Sequence, residues 1–96
     1  MRILAFEIEQ RKDPIDSSLS KEEAKKVYEL FKKGVIREIY FSKKDHAAVI
    51  YFEARNISEV RKMIKTFPLV KSKYIDFKLM ELIPYSGFDR LFTNPA

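Results

Sequence analysis

An α+β domain, with a four-stranded antiparallel sheet covered on one side by two helices, is the fold class this sequence predicts. Three observations carry it. Four segments rich in Val, Ile, Tyr and Phe alternate with the two-residue period of strands. Two further segments place apolar residues three and four apart, as one face of a helix requires. Their order is strand, helix, strand, strand, helix, strand, with no glycine-rich or proline-rich linker between the halves.

Residues 2 to 9 read as the first strand, with Leu4, Phe6 and Ile8 on one face and Ile3, Ala5, Glu7 and Glu9 on the other. Residues 10 to 19 are polar, contain Pro14 and are expected to be a loop. Ser20-Lys21-Glu22-Glu23 has the spacing of a capping box, in which the serine accepts from the third helical amide and the glutamate reaches back, so a helix is expected to start there. Ala24, Val27, Tyr28 and Phe31 form its buried stripe, and Lys32-Lys33-Gly34 ends it with cations and a residue able to turn left-handed.

Residues 35 to 41 and 46 to 54 are the next two strands, joined by the short polar connection Ser42-Lys43-Lys44-Asp45. In the third strand Ala48, Ile50 and Phe52 share a face, and Ala47, Val49, Tyr51 and Glu53 share the other. Asn56 or Ser58 caps a second helix with Ile57, Val60, Ile64 and Phe67 on one stripe. Pro68 lacks an N–H and disfavours helical geometry in the residue before it, which ends that helix near Thr66. The last strand, residues 74 to 83, sets Ile75, Phe77 and Leu79 against Asp76, Lys78 and Met80. With right-handed crossovers, two such units give the ferredoxin-like βαββαβ sheet, first and third strands central. Two helices cover one face only. Leu4, Phe6, Ile8, Ala48, Ile50, Phe52, Ile75, Phe77 and Leu79 are expected on the covered face because they are uniformly apolar, leaving the mixed face for function.

The final third of the chain runs from Phe67-Pro68-Leu69-Val70 through Tyr74-Ile75-Asp76-Phe77 to Leu82-Ile83-Pro84-Tyr85-Ser86-Gly87-Phe88-Asp89-Arg90-Leu91-Phe92. It resembles the carboxyl half of the muconolactone isomerase-like proteins, small dimeric α/β barrels, and the element order extends the resemblance over the whole chain. The resemblance implies a homodimer or a multiple of one, and acid–base proton transfer on a small anionic organic molecule without metal or organic cofactor. A cofactor-free isomerase is the lead within the enzyme class, and a cofactor-free oxygenase of similar fold is second. A non-catalytic ligand-binding or assembly module is the alternative from another class. The matching residues are mostly apolar, proline or aromatic and read as structural, so the resemblance carries over a fold and a family and says little about chemistry or substrate.

Composition agrees with one domain, residues 1 to 96, in which residues 85 to 96 form a packing segment. A chain of 96 residues buries only about 60 to 65% of the surface its unfolded form exposes, which favours oligomerisation. With 46% hydrophobic residues it has ample material for a core. Without cysteine, disulfides, thiolate metal sites and cysteine nucleophiles are excluded, and one histidine excludes multi-histidine metal centres. His46 beside the hairpin tip reads as a solvent-facing turn residue rather than a base. No segment is apolar enough for a membrane span or secretory signal, so a cytoplasmic location is expected. Charged residues at 34% resemble the composition of proteins from hot environments.

The net charge of +5 is interspersed rather than focused on one face, and Ala47 and Ala48 stand where an RNA-recognition sheet needs stacking rings, so nucleic-acid binding is not expected. On the mixed face, Glu7, Tyr51 and Glu53 are the candidate catalytic groups. Arg37, Asp76 and Lys78 are the candidates for holding substrate, and no metal ligands are expected. Glu7 is the leading general base, expected to point between two subunits with Glu53 and Asp76 disfavouring its charge. The simpler reading of the same charges is a set of cross-strand ion pairs at an interface.

Overall fold

The computed structural model describes residues 1–93. In chain order the elements are β1 (Arg2–Glu9), α1 (Ser17–Lys32), β2 (Ile36–Phe41), β3 (Ala48–Glu53), α2 (Ile57–Ile64), α3 (Pro68–Lys71) and β4 (Ile75–Leu82), followed by a 3₁₀ turn at Gly87–Leu91. The strands form one antiparallel sheet in the order β2-β3-β1-β4, with the first and third strands central, which is the ferredoxin-like arrangement. Among the described residues no helix is long and apolar enough to cross a membrane.

Element ends follow local chemistry. Helix α1 begins at Ser17 rather than at the capping box, because Asp16 accepts from the Ser18 amide (3.5 Å) and hydroxyl (2.7 Å). Ser20 therefore lies inside the first turns, and Glu23 does not reach back. Gly34, at φ 79°, supplies the left-handed residue after the helix. Asn56 caps α2 by accepting from the Glu59 amide at 2.9 Å. Pro68 does more than end α2: it occupies the first position of α3, where its missing N–H costs nothing.

Facing is as expected in two strands and reversed in one. Ala48, Ile50 and Phe52 of β3 and Ile75 and Phe77 of β4 are buried beneath the helices, with Leu79 packed against them. In β1, however, Ile3 and Ala5 are the fully buried residues, paired in register with Phe52 and Ile50, while Leu4 and Phe6 are half-buried and Ile8 exposed. The alternation carries Glu7 to the helix side with Ile3 and Ala5. This overturns the expectation that Leu4, Phe6 and Ile8 face the helices and that Glu7 points between subunits. Apolarity chose the wrong side of β1 because both of its faces carry apolar residues, and past Ala5 the helix-side face of β1 borders a cavity that admits the Glu7 carboxylate.

The carboxyl segment leaves β4 at Leu82, beside Arg2, and does not fold back: Ile83, Tyr85, Phe88, Leu91 and Phe92 are all exposed within the protomer. The packing expected of the segment 85 to 96, of which residues 94 to 96 lie outside the described residues, is thus not against its own domain. Gly87 does not need a left-handed backbone. Any side chain there would collide with the Tyr85 ring, which packs edge-on against Phe88 at 5.0 Å.

Candidate functional site

The apolar stripe of α1 does not close on the sheet. Tyr28 and Phe31 remain 59% and 48% exposed, and with Ala24 and Val27 they roof a cavity of about 820 Å³. Its floor is Glu7, Ala48, Ile50, Ile75 and Phe77, and the β2–β3 hairpin contributes Ile39, Phe41 and His46 at one side. Cavities that hold small organic molecules are typically about 300–1,000 Å³ and mostly apolar with a few placed polar groups.

Two of those polar groups are carboxylates held by backbone amides. Glu7 Oε1 accepts from the Ala48 amide at 3.2 Å, across the β1–β3 pair. Glu23, half-buried on the cavity-lining face of α1, accepts through Oε1 from the Leu69 amide at 3.0 Å. That bond gives α3 the side-chain cap that Phe67 cannot supply. Neither carboxylate forms an ion pair among the described residues. Burial pushes the Glu23 carboxyl above its ordinary value of 4.5 and the charge of Glu7 adds to this, against the opposing effect of the Leu69 amide.

The other predicted residues do not join Glu7. Tyr51 and Glu53 alternate with buried Ile50 and Phe52, and Asp76 and Lys78 with buried Ile75 and Phe77, so all four lie on the outer face of the sheet. Glu53 is bound by the Met1 amino group at 2.7 Å and by Arg2 at 3.5 Å, and the bond to the amino group holds its carboxyl below the usual range. Asp76 accepts from the Phe77 amide at 2.8 Å, and Lys78 is exposed. Arg37 sits where the β2–β3 register shifts, exposed and near Gly34, and does not line the cavity. The expected convergence of Glu7 with Glu53, Asp76, Lys78 and Arg37 is therefore absent.

Glu23 escaped the sequence reading because its capping-box spacing explained it. The available signal was its position: Glu23 lies one turn before Val27 on the apolar stripe, where a solvated carboxylate does not belong. His46 is exposed as a turn residue should be, yet it adopts φ 55°, stacks on Phe41 at 4.0 Å and lines the cavity. No Lys or Arg lines this cavity among the described residues. A smaller cavity of about 550 Å³ adjoins it, shares Glu7, Glu9, Ile15 and Ile75, and adds Arg11, Lys12, Asp13 and Tyr74.

A ferredoxin-like domain with an open helix–sheet cavity is what these elements define, and solved proteins of that architecture superimpose on it. Muconolactone isomerase matches with a TM-score of 0.73 and 14% sequence identity, over 90% of this chain and 92% of that one. The 5-chloro-2-hydroxyhydroquinone dehydrochlorinase TftG from Burkholderia phenoliruptrix AC1100, solved in complex with 2,5-dihydroxybenzoquinone, matches with a TM-score of 0.61 and 16% identity, over 91% of this chain and 98% of that one. The chain thus has the fold of muconolactone isomerase, the likeness that its carboxyl-terminal third suggests. No protein-family model and no curated protein matches the sequence.

Proposed function

We propose that the protein is a cofactor-free acid–base catalyst of the muconolactone isomerase-like kind, moving a proton on a small organic molecule held between α1 and the sheet. The observation that carries this reading is the pair Glu7 and Glu23 at one largely apolar cavity, with the Glu23 carboxyl raised by burial. Two carboxyl groups in different surroundings can divide the roles of base and acid. Glu7 takes the proton from a carbon next to a carbonyl. Glu23, whose protonated form burial favours, donates to the oxygen on which charge develops; the proton on Glu7 then goes to a second carbon while the enol O–H proton returns to Glu23, which regenerates the carbonyl and both carboxyl groups. Tyr51 and Glu53 have no part in this scheme.

The fold likeness supports the choice of probe: muconolactone for an isomerase, and 2,5-dihydroxybenzoquinone, the molecule bound by TftG, as a non-reacting occupant. Incubated in deuterium oxide with unsaturated lactones and enol acids, the protein is expected to exchange or move an acidic C–H proton. In Glu7→Gln the rate is expected to fall by about 100-fold or more while the circular dichroism spectrum stays native. Binding of these molecules without exchange by the wild type would leave the ligand-binding module as the better reading.

The same proposal includes self-association. The outer face of the sheet presents Leu4, Phe6, Ile8, Val49 and Met80, and the carboxyl segment presents further exposed apolar side chains, surfaces suited to a second copy of the chain.

A further inference from the structure

We propose that Arg11 is the specificity-determining residue of this site, holding the anionic group of a small carboxylate ligand while the ligand's apolar body enters the cavity between α1 and the sheet. The inference rests on the reading of that cavity as the ligand site, and it replaces Arg37 and Lys78 in the anion-holding role.

The larger cavity is lined by Glu7, Glu9, Glu23 and Asp45 and by no Lys or Arg among the described residues, so an anionic group placed there meets four carboxyl groups and neither a Lys nor an Arg to offset them. The adjoining cavity opens from the same wall at Glu7 and Glu9 and brings Arg11 and Lys12 to it. A ligand lying across the shared wall has one favourable polarity: anion towards Arg11, apolar body towards Phe77 and Tyr28, and the intervening carbon beside Glu7.

Arg11 is also preset. Its guanidinium lies over the Tyr74 ring at 3.7 Å, a cation–π arrangement that fixes the plane of the group. The backbone is tied to the same residue, since the Gln10 and Arg11 amides both donate to the Tyr74 carbonyl, at 3.0 and 3.2 Å, and the Tyr74 hydroxyl donates to the Pro14 carbonyl at 3.4 Å. The ion pair with Asp13 is a long contact through Nε, 3.5 Å, between exposed side chains. No hydrogen bond from the guanidinium is made among the described residues, so its fork of donors is available to a carboxylate. A surface stack and an exposed ion pair stabilise a loop only weakly. What points to a ligand is their position in the adjoining cavity, which shares Glu7, Glu9, Ile15 and Ile75 with the larger one.

The test compares phenylacetate with its neutral isostere phenylacetamide by calorimetric or NMR titration of the full chain. In the wild type, phenylacetate is expected to bind about tenfold more tightly. Arg11→Gln is expected to abolish that preference without changing the affinity for the amide, and Arg11→Lys to restore only part of it, because a point charge lacks the fork. Equal binding of both ligands by the wild type, or a preference that survives Arg11→Gln, overturns the role of Arg11 while leaving the cavity reading intact. An equal loss of both ligands in Arg11→Gln, the mark of a loop held together for structural reasons, also overturns it. If neither ligand binds the wild type, both the subsite and the cavity reading fall.

Discussion

Glu23 links the fold of this protein to the chemistry proposed for it, because the same carboxyl group caps α3 and faces the cavity. Burial, with the charge of Glu7 adding to it, raises its pKa above the ordinary 4.5, so folding favours the protonated form. Its contribution to stability is fully present below about pH 4.5 and is lost as pH rises through the raised folded value. Glu23→Gln keeps an acceptor for the Leu69 amide and removes the titration. The variant is therefore expected to gain in melting temperature relative to the wild type between about pH 4 and pH 8. A difference that stays constant over that range would refute the assignment. At this scale the sequence was legible in type but not in place: Glu7 lines the helix–sheet cavity rather than the space between subunits in which its alternation with Leu4, Phe6 and Ile8 had set it. Alternation specifies which residues share a face, and only the packing of the helices decides which face is covered.

Elements were more legible than facing, because caps and breakers are local chemistry. Proline at 68, glycine at 34 and the alternation of β3 and β4 act within a few residues of themselves, and the structure follows them. Where two local signals competed, Asp16 prevailed, its carboxylate accepting from both the amide and the hydroxyl of Ser18. Asp16 starts α1 one turn before Ser20, which frees Glu23 to meet α3. Substitution separates the two candidate caps. Asn56→Ala leaves the Glu59 amide without its acceptor and is expected to cost about 1 kcal/mol in urea unfolding. Ser20→Ala, inside α1, is expected to change stability by no more than about 0.5 kcal/mol. A loss at Ser20 as large as that at Asn56 would restore the capping box.

On the scale of the whole molecule, the longest dimension is 63 Å against 29 and 20 Å, and the carboxyl segment accounts for much of the asymmetry by leaving the sheet without returning to it. It departs beside Arg2, at the end of the strands opposite the one where Glu7 pairs with Phe77 and the cavity lies. Leu91 and Phe92 are 75% and 83% exposed in the protomer, and each is worth about 1.5–3 kcal/mol if a partner buries it. An apolar segment with no surface of its own to cover is best explained by a second copy of the chain. Light scattering is then expected to give a dimer or a multiple of one at micromolar concentration, with a melting temperature that rises with protein concentration. Removing residues 85 to 96 should lower the assembly state and weaken that concentration dependence, while the circular dichroism spectrum of the sheet and helices persists, because among the described residues none from 85 to 93 belongs to the protomer's core. A wild type that is monomeric at micromolar concentration, or a truncated chain that assembles and melts as the full one does, would remove the segment from any role in assembly.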